Sequence, residues 1–334
     1  MIRVFFTKRD QTLPNQRLNR VVIAAGLVSL AFYIMLQILT PERALPYASQ
    51  MIDASRIMAE AISVIRTHCD QSGIKIDEAI DPNRTGLVGP KNSALATTLG
   101  NLEAKRTTTN PNMAGLVVQL LNEAGVEAGD TIAVGASASF PALLIATLAA
   151  AEAMQIHPVV IVSLGASSYG GTNPDFDLLD AYKLLIDKGI FAISPAAISL
   201  GGEADVGKDF PASLRERLVE EIQTSGIPFI REPDLERNVV ARMQIYASNS
   251  ARVKTSAFIN IGGNYANLGT SELALDLKPG LNEEISLPAK SERGVLFEMA
   301  DRGIPCIHFL FIKGLVLKYG MPWDPIPLPE AGEP

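Results

Sequence analysis

The chain has 334 residues, enough for one large core or two ordinary ones, and 47% of them are hydrophobic. With a mean hydropathy of +0.19, the composition implies that some part of it meets lipid. A formal charge of -7 argues against broad nucleic-acid binding; two cysteines exclude a disulfide scaffold, and the lack of a CxxC pair or histidine cluster argues against structural zinc.

The first predicted element is a basic tail, residues 1–20, with Arg3, Lys8, Arg9, Arg17 and Arg20 against Asp10. A nineteen-residue run without a charge follows, Val21 to Leu39 (VVIAAGLVSLAFYIMLQIL), which as a helix would span about 28 Å. It reads as a single transmembrane helix. The twenty residues after it hold only Arg43 and Arg56 as basic residues, so the positive-inside rule puts the N-terminus in the cytoplasm and the main domain outside. A cleaved signal peptide normally has a shorter apolar region, and the flank TPERALPYASQ has no small-x-small cleavage site. Because the tail carries +4, residues 21–334 carry -11. The expected localisation is the cytoplasmic membrane, single-pass.

A helical stalk is expected over 40–80, with Met51, Met58, Ile62 and Ile65 at helical spacing. From 81 to 320 helical and strand patterns alternate. Met113, Leu116, Val117, Leu120 and Leu121 form one amphipathic face ending at Gly125, and a short apolar run, Thr131 to Val134, follows. A joint of helix, glycine, isoleucine and strand recurs at KGIFAIS (Gly189), SGIPFIR (Gly226) and RGIPCIHFLF (Gly303). Further runs at Pro158 to Ser163 and Ala257 to Ile261 bring the strand candidates to at least five. The fold expected is α/β, a mostly parallel open sheet flanked by helices, Rossmann-like and three-layered, behind one N-terminal transmembrane helix. Residues 321–334, MPWDPIPLPEAGEP, read as an extended Pro-rich tail. An oxidising outer compartment would permit Cys69 and Cys306 to pair, although Cys306 lies in the apolar run IPCIHFLFI and reads as buried.

Candidate chemistry begins at Gly86 to Asn112, GLVGPKNSALATTLGNLEAKRTTTNPN, a polar stretch suited to holding a small anion. Gly86, Gly89 and Gly100 permit close backbone approach, Thr97, Thr98 and Thr107 to Thr109 offer hydroxyls, and Lys105 and Arg106 supply positive charge. Leu87, Leu95, Leu99 and Leu102 would anchor it to a core. Thr109-Asn110-Pro111 reads as a helix start.

In open α/β sheets ligands bind beyond the carboxyl ends of the strands. Three such ends are small and polar: Gly135, Ser137 and Ser139; Ser163, Ser167 and Ser168; Gly262, Gly263, Asn264 and Asn267. Backbone N–H groups at these strand-to-helix turns would favour a carboxylate or phosphate, although tight packing with serine caps also produces such turns. Val134 to Pro141 has part of the nucleophile elbow G-x-S-x-G, with Ser139 in place of the second glycine. A triad is not assembled by His68, His157 or His308, whose contexts are an exposed helix, the wrong end of a strand and an apolar strand. Serine activation would fall to Lys105, making Ser137 and Lys105 the candidate catalytic pair, with Ser139 as an alternative nucleophile. Arg106, Thr107, Gly135, Ser139, Ser163, Ser167, Gly262, Gly263 and Asn264 are the candidate ligand-binding residues. No cofactor and no metal is expected. Asp175, Asp177 and Asp180 read as a helix cap, and Glu203, Asp205 and Asp209 form a loop without EF-hand spacing.

GLVGPKNSALATTLGNLEAKRTTTNPN, VGASASFPAL, SLGASSYGGTNPDF and INIGGNYANLG, in this order and behind one membrane anchor, resemble the poly-γ-glutamate system protein family over most of the chain from about Gly86 onward. The resemblance implies a role in making, exporting or anchoring an extracellular poly-γ-glutamate polymer, beside a membrane-associated ligase and other components of that system. It carries no catalytic residues over. The polymer presents one α-carboxylate per residue, and Lys105, Arg106 and helix N-termini are groups that bind carboxylates. Two functions are expected in consequence: a non-catalytic component that binds the polymer, its chain end or partner subunits, and a serine-dependent hydrolase or transferase acting on γ-glutamyl bonds.

Overall fold

A computed structural model describes residues 12–39, 45–249 and 255–333, with only the backbone given for 12–18, 36–39 and 249. The chain divides into two units, residues 1–46 and 47–334. In the first unit, helix α1 runs Thr12–Leu39, and its described side chains, Asn19 to Met35, are all exposed. Among the described residues no helix is long and apolar enough to cross a membrane. The backbone of the expected span, Val21 to Leu39, falls within α1, with its side chains described as far as Met35, and residues 1–11 of the basic tail lie outside the described residues.

The second unit begins with α2 (Ala48–Ser72), whose Ala54, Met58, Ala61, Ile65 and Cys69 are buried. The expected stalk is thus an integral part of the body, because this apolar stripe packs against other helices. Next come β1 (Ala96–Thr98), α3 (Leu102–Thr108), α4 (Asn112–Glu123), β2 (Thr131–Ser137), α5 (Pro141–Met154), β3 (His157–Ser163), β4 (Ala166–Ser167) and α6 (Leu178–Asp187). The second half holds β5 (Ala197–Ser199), α7 (Ala212–Ser225), β6 (Phe229–Ile230), α8 (Leu235–Asn249), β7 (Thr255–Ile261), α9 (Tyr265–Leu268), β8 (Gly280–Asn282), α10 (Val295–Asp301), β9 (Cys306–Phe309) and α11 (Ile312–Lys318).

Seven strands form one sheet in the order β6-β5-β3-β2-β7-β9-β8, parallel except for the β8 edge. The architecture is therefore α/β with a mostly parallel sheet between helical layers. Alternating strand residues feed two cores. Ile132, Val134, Val160, Val162, Ile259 and Ile307 pack with α2, α4 and α5, whereas Ala133, Ile161, Phe258 and Cys306 pack with α8 and α10. The chain moves outward from β2 through β3, β5 and β6, then returns to place β7 on the other side of β2. That reversal leaves a crevice at the carboxyl ends of β2, β3 and β7.

The glycine joints form as expected, with Gly125, Gly189, Gly226 and Gly303 all at φ between 71° and 75°. KGIFAIS departs from expectation beyond its glycine. Ile190 and Phe191 donate their N–H groups back to Leu185 O, closing α6, and the strand starts only after Pro195, at Ala197. The expected loop over 86–112 also contains a helix, α3, whose N-cap Asn101 accepts from Ala104 N. The Pro-rich tail is strapped to the body, its Pro325 and Glu330 carbonyls accepting from Asn83 and Asn112 side chains. Cys69 and Cys306 are both free and buried.

Candidate functional site

A cleft of about 400 Å³ opens at the crevice, lined by Thr97, Thr98, Leu99, Ser137, Ser139, Phe140, Gly165, Ser167, Gly202, Gly263, Asn264, Tyr265, Gly269 and Leu310. The three small, polar strand ends meet here, and the Thr97 to Leu99 segment adds a wall. That wall is held by parallel pairing of β1 with β4 and by the Thr97 hydroxyl, which donates to Ala166 O. Gly100 lies so close to the Ser168 carbonyl that a Cβ would collide with it, so this glycine permits the approach expected from the sequence.

Lys105 stands directly behind the wall and is 3% exposed. Its Nζ donates to Ser139 O and to Ser167 Oγ, the latter at 2.7 Å, and lies 3.5 Å from the centroid of the Phe140 ring. No carboxylate among the described residues pairs with it. Burial pushes the ammonium down to about 7 from 10.5, because desolvation disfavours the charged form. Ser139 Oγ accepts from Ser167 N at 3.0 Å, which ties the turn after β2 to β4.

The candidate pair of Ser137 and Lys105 does not form. Strand β2 extends through Ser137, so this residue is the last of a strand and not the apex of an elbow. Its hydroxyl donates to Ile261 O at 3.3 Å, and Gly262 at φ 83° packs against it, so that a Cβ there would run into Ser137 Oγ. Lys105 reaches Ser167 instead.

Arg106 and Thr107 do not join the cleft. The Arg106 guanidinium forms a two-pronged pair with Asp324 of the tail, Nε to Oδ1 at 2.7 Å, and Thr107 Oγ1 accepts from Asp324 N. On a helix, adjacent residues point in different directions, so Lys105 and Arg106 could not both face one crevice. Gly135 is under the cleft, where a Cβ would press on the Asn267 side chain at 2.5 Å.

Ser163 belongs to a buried network beneath the floor. It shares a 2.8 Å hydrogen bond with Ser199, and both hydroxyls contact Arg242 Nη2. Arg242 and Asp205 are each fully buried and pair at 2.6 Å, with Asn238 Nδ2 donating to the same carboxylate. Asn264, which lines the cleft, donates to Ser163 Oγ at 2.9 Å and to Asp205 Oδ1 at 3.1 Å. Asp205 is thereby occupied by protein donors, and Asp209 Oδ1 by the backbone N–H of Glu203, so this acidic loop is closed internally. Sequence reasoning missed Arg242, because it lies in α8 in the pattern VVARMQIY and nothing there marks one arginine as buried.

Asp177, Asp180, His308 and His157 match their expected contexts. Asp177 caps α6 by accepting from Leu179 N and Asp180 N, while the Asp180 carboxylate accepts from Asp177 N. Burial and the nearby Asp180 and Glu221 raise Asp177 to about 6. His308 is buried in β9 beside Asn260 Nδ2 at 3.0 Å, its pKa lowered by desolvation to about 4. His157 is exposed at the opening of β3, whereas His68, expected to be exposed, is half-buried with its ring against Phe176, and Asp175 is exposed and takes no part in the α6 cap.

Compared with protein-family models, the curated proteins and the solved structures, the chain matches none. The functional reading therefore rests on the residues of the cleft and on the motif resemblance.

Proposed function

We propose that this protein is a membrane-anchored component of poly-γ-glutamate biosynthesis or export, and that its cleft holds a short γ-glutamyl segment or chain end. The observation that carries the reading is Lys105: a buried cation without a carboxylate partner among the described residues, one hydroxyl away from a cleft at the carboxyl ends of a parallel sheet. Such a charge is completed by an anion, and serine hydroxyls between it and the crevice are suitable donors to a carboxylate. Residues 21–334 carry -11, so an anionic polymer would be repelled from the surface at large and bound only at a local positive spot. The polymer is suggested by the resemblance of four sequence motifs to the poly-γ-glutamate system protein family. For the anchor, the support is the apolar sequence from Val21 to Leu39 and the exposed side chains of Val21 to Met35, with basic residues before them to hold the N-terminus inside.

The test is titration of the full chain, in detergent, with γ-glutamyl oligomers in a calorimeter. Saturable binding that weakens with salt and is lost in Lys105→Met supports the reading. No binding, or equal binding by the variant, overturns it.

A further inference from the structure

Ser167 is held more firmly than its place in a two-residue strand implies. Its backbone pairs with Thr98, its N–H donates to Ser139 Oγ at 3.0 Å, and its carbonyl accepts from Gly170 N at 3.0 Å. Ser167 lines the cleft, and Lys105 Nζ donates to its hydroxyl at 2.7 Å, fixed by Ser139 O and the Phe140 ring and shielded from water. A base behind a cleft-facing hydroxyl is the arrangement that serine activation by lysine requires.

We propose that Ser167 is the nucleophile, and Lys105 its general base, of an acyl transfer on γ-glutamyl amide bonds in this cleft. The inference rests on the proposed γ-glutamyl occupancy and adds covalent chemistry to it. A neutral amine has two N–H groups and one lone pair. One N–H goes to Ser139 O and the other to the face of Phe140, which leaves the lone pair for the Ser167 O–H. With desolvation lowering Lys105 to about 7, the neutral form is populated near neutral pH.

The step balances without a co-reactant beyond water or an acceptor amine. Ser167 Oγ forms a bond to the amide carbonyl carbon as its proton passes to Lys105 Nζ. The C–N bond then breaks, the leaving nitrogen takes that proton, and a γ-glutamyl ester remains on Ser167. Water, deprotonated by Lys105, releases a carboxylate and restores the hydroxyl; an amine from another chain would instead complete a transfer. A free carboxylate seated in the same place favours charged Lys105, so chain-end products inhibit, more strongly below pH 7.

The test uses the full chain in detergent, treated with a fluorophosphonate and separately with γ-glutamyl p-nitroanilide, the adduct being mapped by mass spectrometry. One adduct on Ser167 is expected, with nitroaniline release rising with pH through a midpoint near 7. Ser167→Ala abolishes both signals. Lys105→Met lowers the rate by about a hundredfold or more, and circular dichroism on each variant separates this loss from unfolding. Should Lys105→Met unfold, the pH midpoint and the Ser167→Ala result decide alone. An adduct on Ser137 or Ser139, or intact substrate with a folded protein that binds poly-γ-glutamate, overturns the proposal. Acylation of Ser167 by the small substrate without polymer binding upholds the dyad and removes the poly-γ-glutamate reading.

Discussion

Arg242 and Asp205 form an ion pair at 2.6 Å with neither side chain exposed, directly beneath Asn264 in the floor of the cleft. Two charges withdrawn from water are costly to separate, because the survivor keeps its desolvation penalty without its partner. Arg242→Met or Asp205→Asn alone is expected to cost about 3–5 kcal/mol. The double replacement by apolar residues should recover a substantial part of that loss. Thermal unfolding of the four proteins as a mutant cycle measures the coupling; additive losses would show that the pair is not a unit.

Gly262→Ala should destabilise the body by about 1–3 kcal/mol, the range for a residue forced into a sparsely populated backbone region, and disturb Ser137. Gly262 has φ 83° and no room for a Cβ beside Ser137 Oγ. Gly303→Ala is the control: φ is 71° but nothing lies within 4 Å of the added atom, so only the backbone cost of about 1 kcal/mol remains. Equal unfolding midpoints for the two variants would refute the steric part of this account.

The Arg106 and Asp324 pair ties the tail to α3, away from the cleft. Asp324→Asn should speed proteolytic nicking within residues 321–333 severalfold, because it leaves the largely buried Arg106 guanidinium without its charge partner, and should leave γ-glutamyl binding within twofold, since the pair lies away from the cleft. A large loss of binding in this variant would return Arg106 to the site.

Buried titratable groups set the pH dependence. His308 is lowered from 6.5 to about 4, so the folded state binds fewer protons than the unfolded one between those values. Its contribution to stability is intact above about 6.5 and is lost as the pH falls toward 4. Lys105, lowered from 10.5 to about 7, acts at higher pH: stability rises from about 7 to 10.5, at about 1.4 kcal/mol per unit, and is least below 7. Lys105→Met should flatten the alkaline rise, and His308→Asn the acid fall, in melting curves collected across pH.

The sequence by itself determined the α/β alternation and the polar strand ends. Those features are local: apolar runs at β2, β3 and β7, and glycines at Gly125, Gly226 and Gly303 that end helices, depend on neighbours a few residues away. It also marked Lys105, Ser139, Ser167 and Asn264 as residues of interest, because lysine and serine clustered near strand ends are conspicuous in a linear chain. Which of them touch was decided only by the tertiary structure. Ser167 and not Ser137 meets Lys105 because a seven-residue β2 carries Ser137 into the sheet, while β1 pairing with β4 brings chain positions 62 residues apart into contact. Arg106 turns to Asp324 across 218 residues, and Arg242 is buried under the floor by the packing of α8. Such pairings are set by helix phase and crossover geometry, which no local pattern encodes, and they distinguish a residue suited to a role from one placed to perform it.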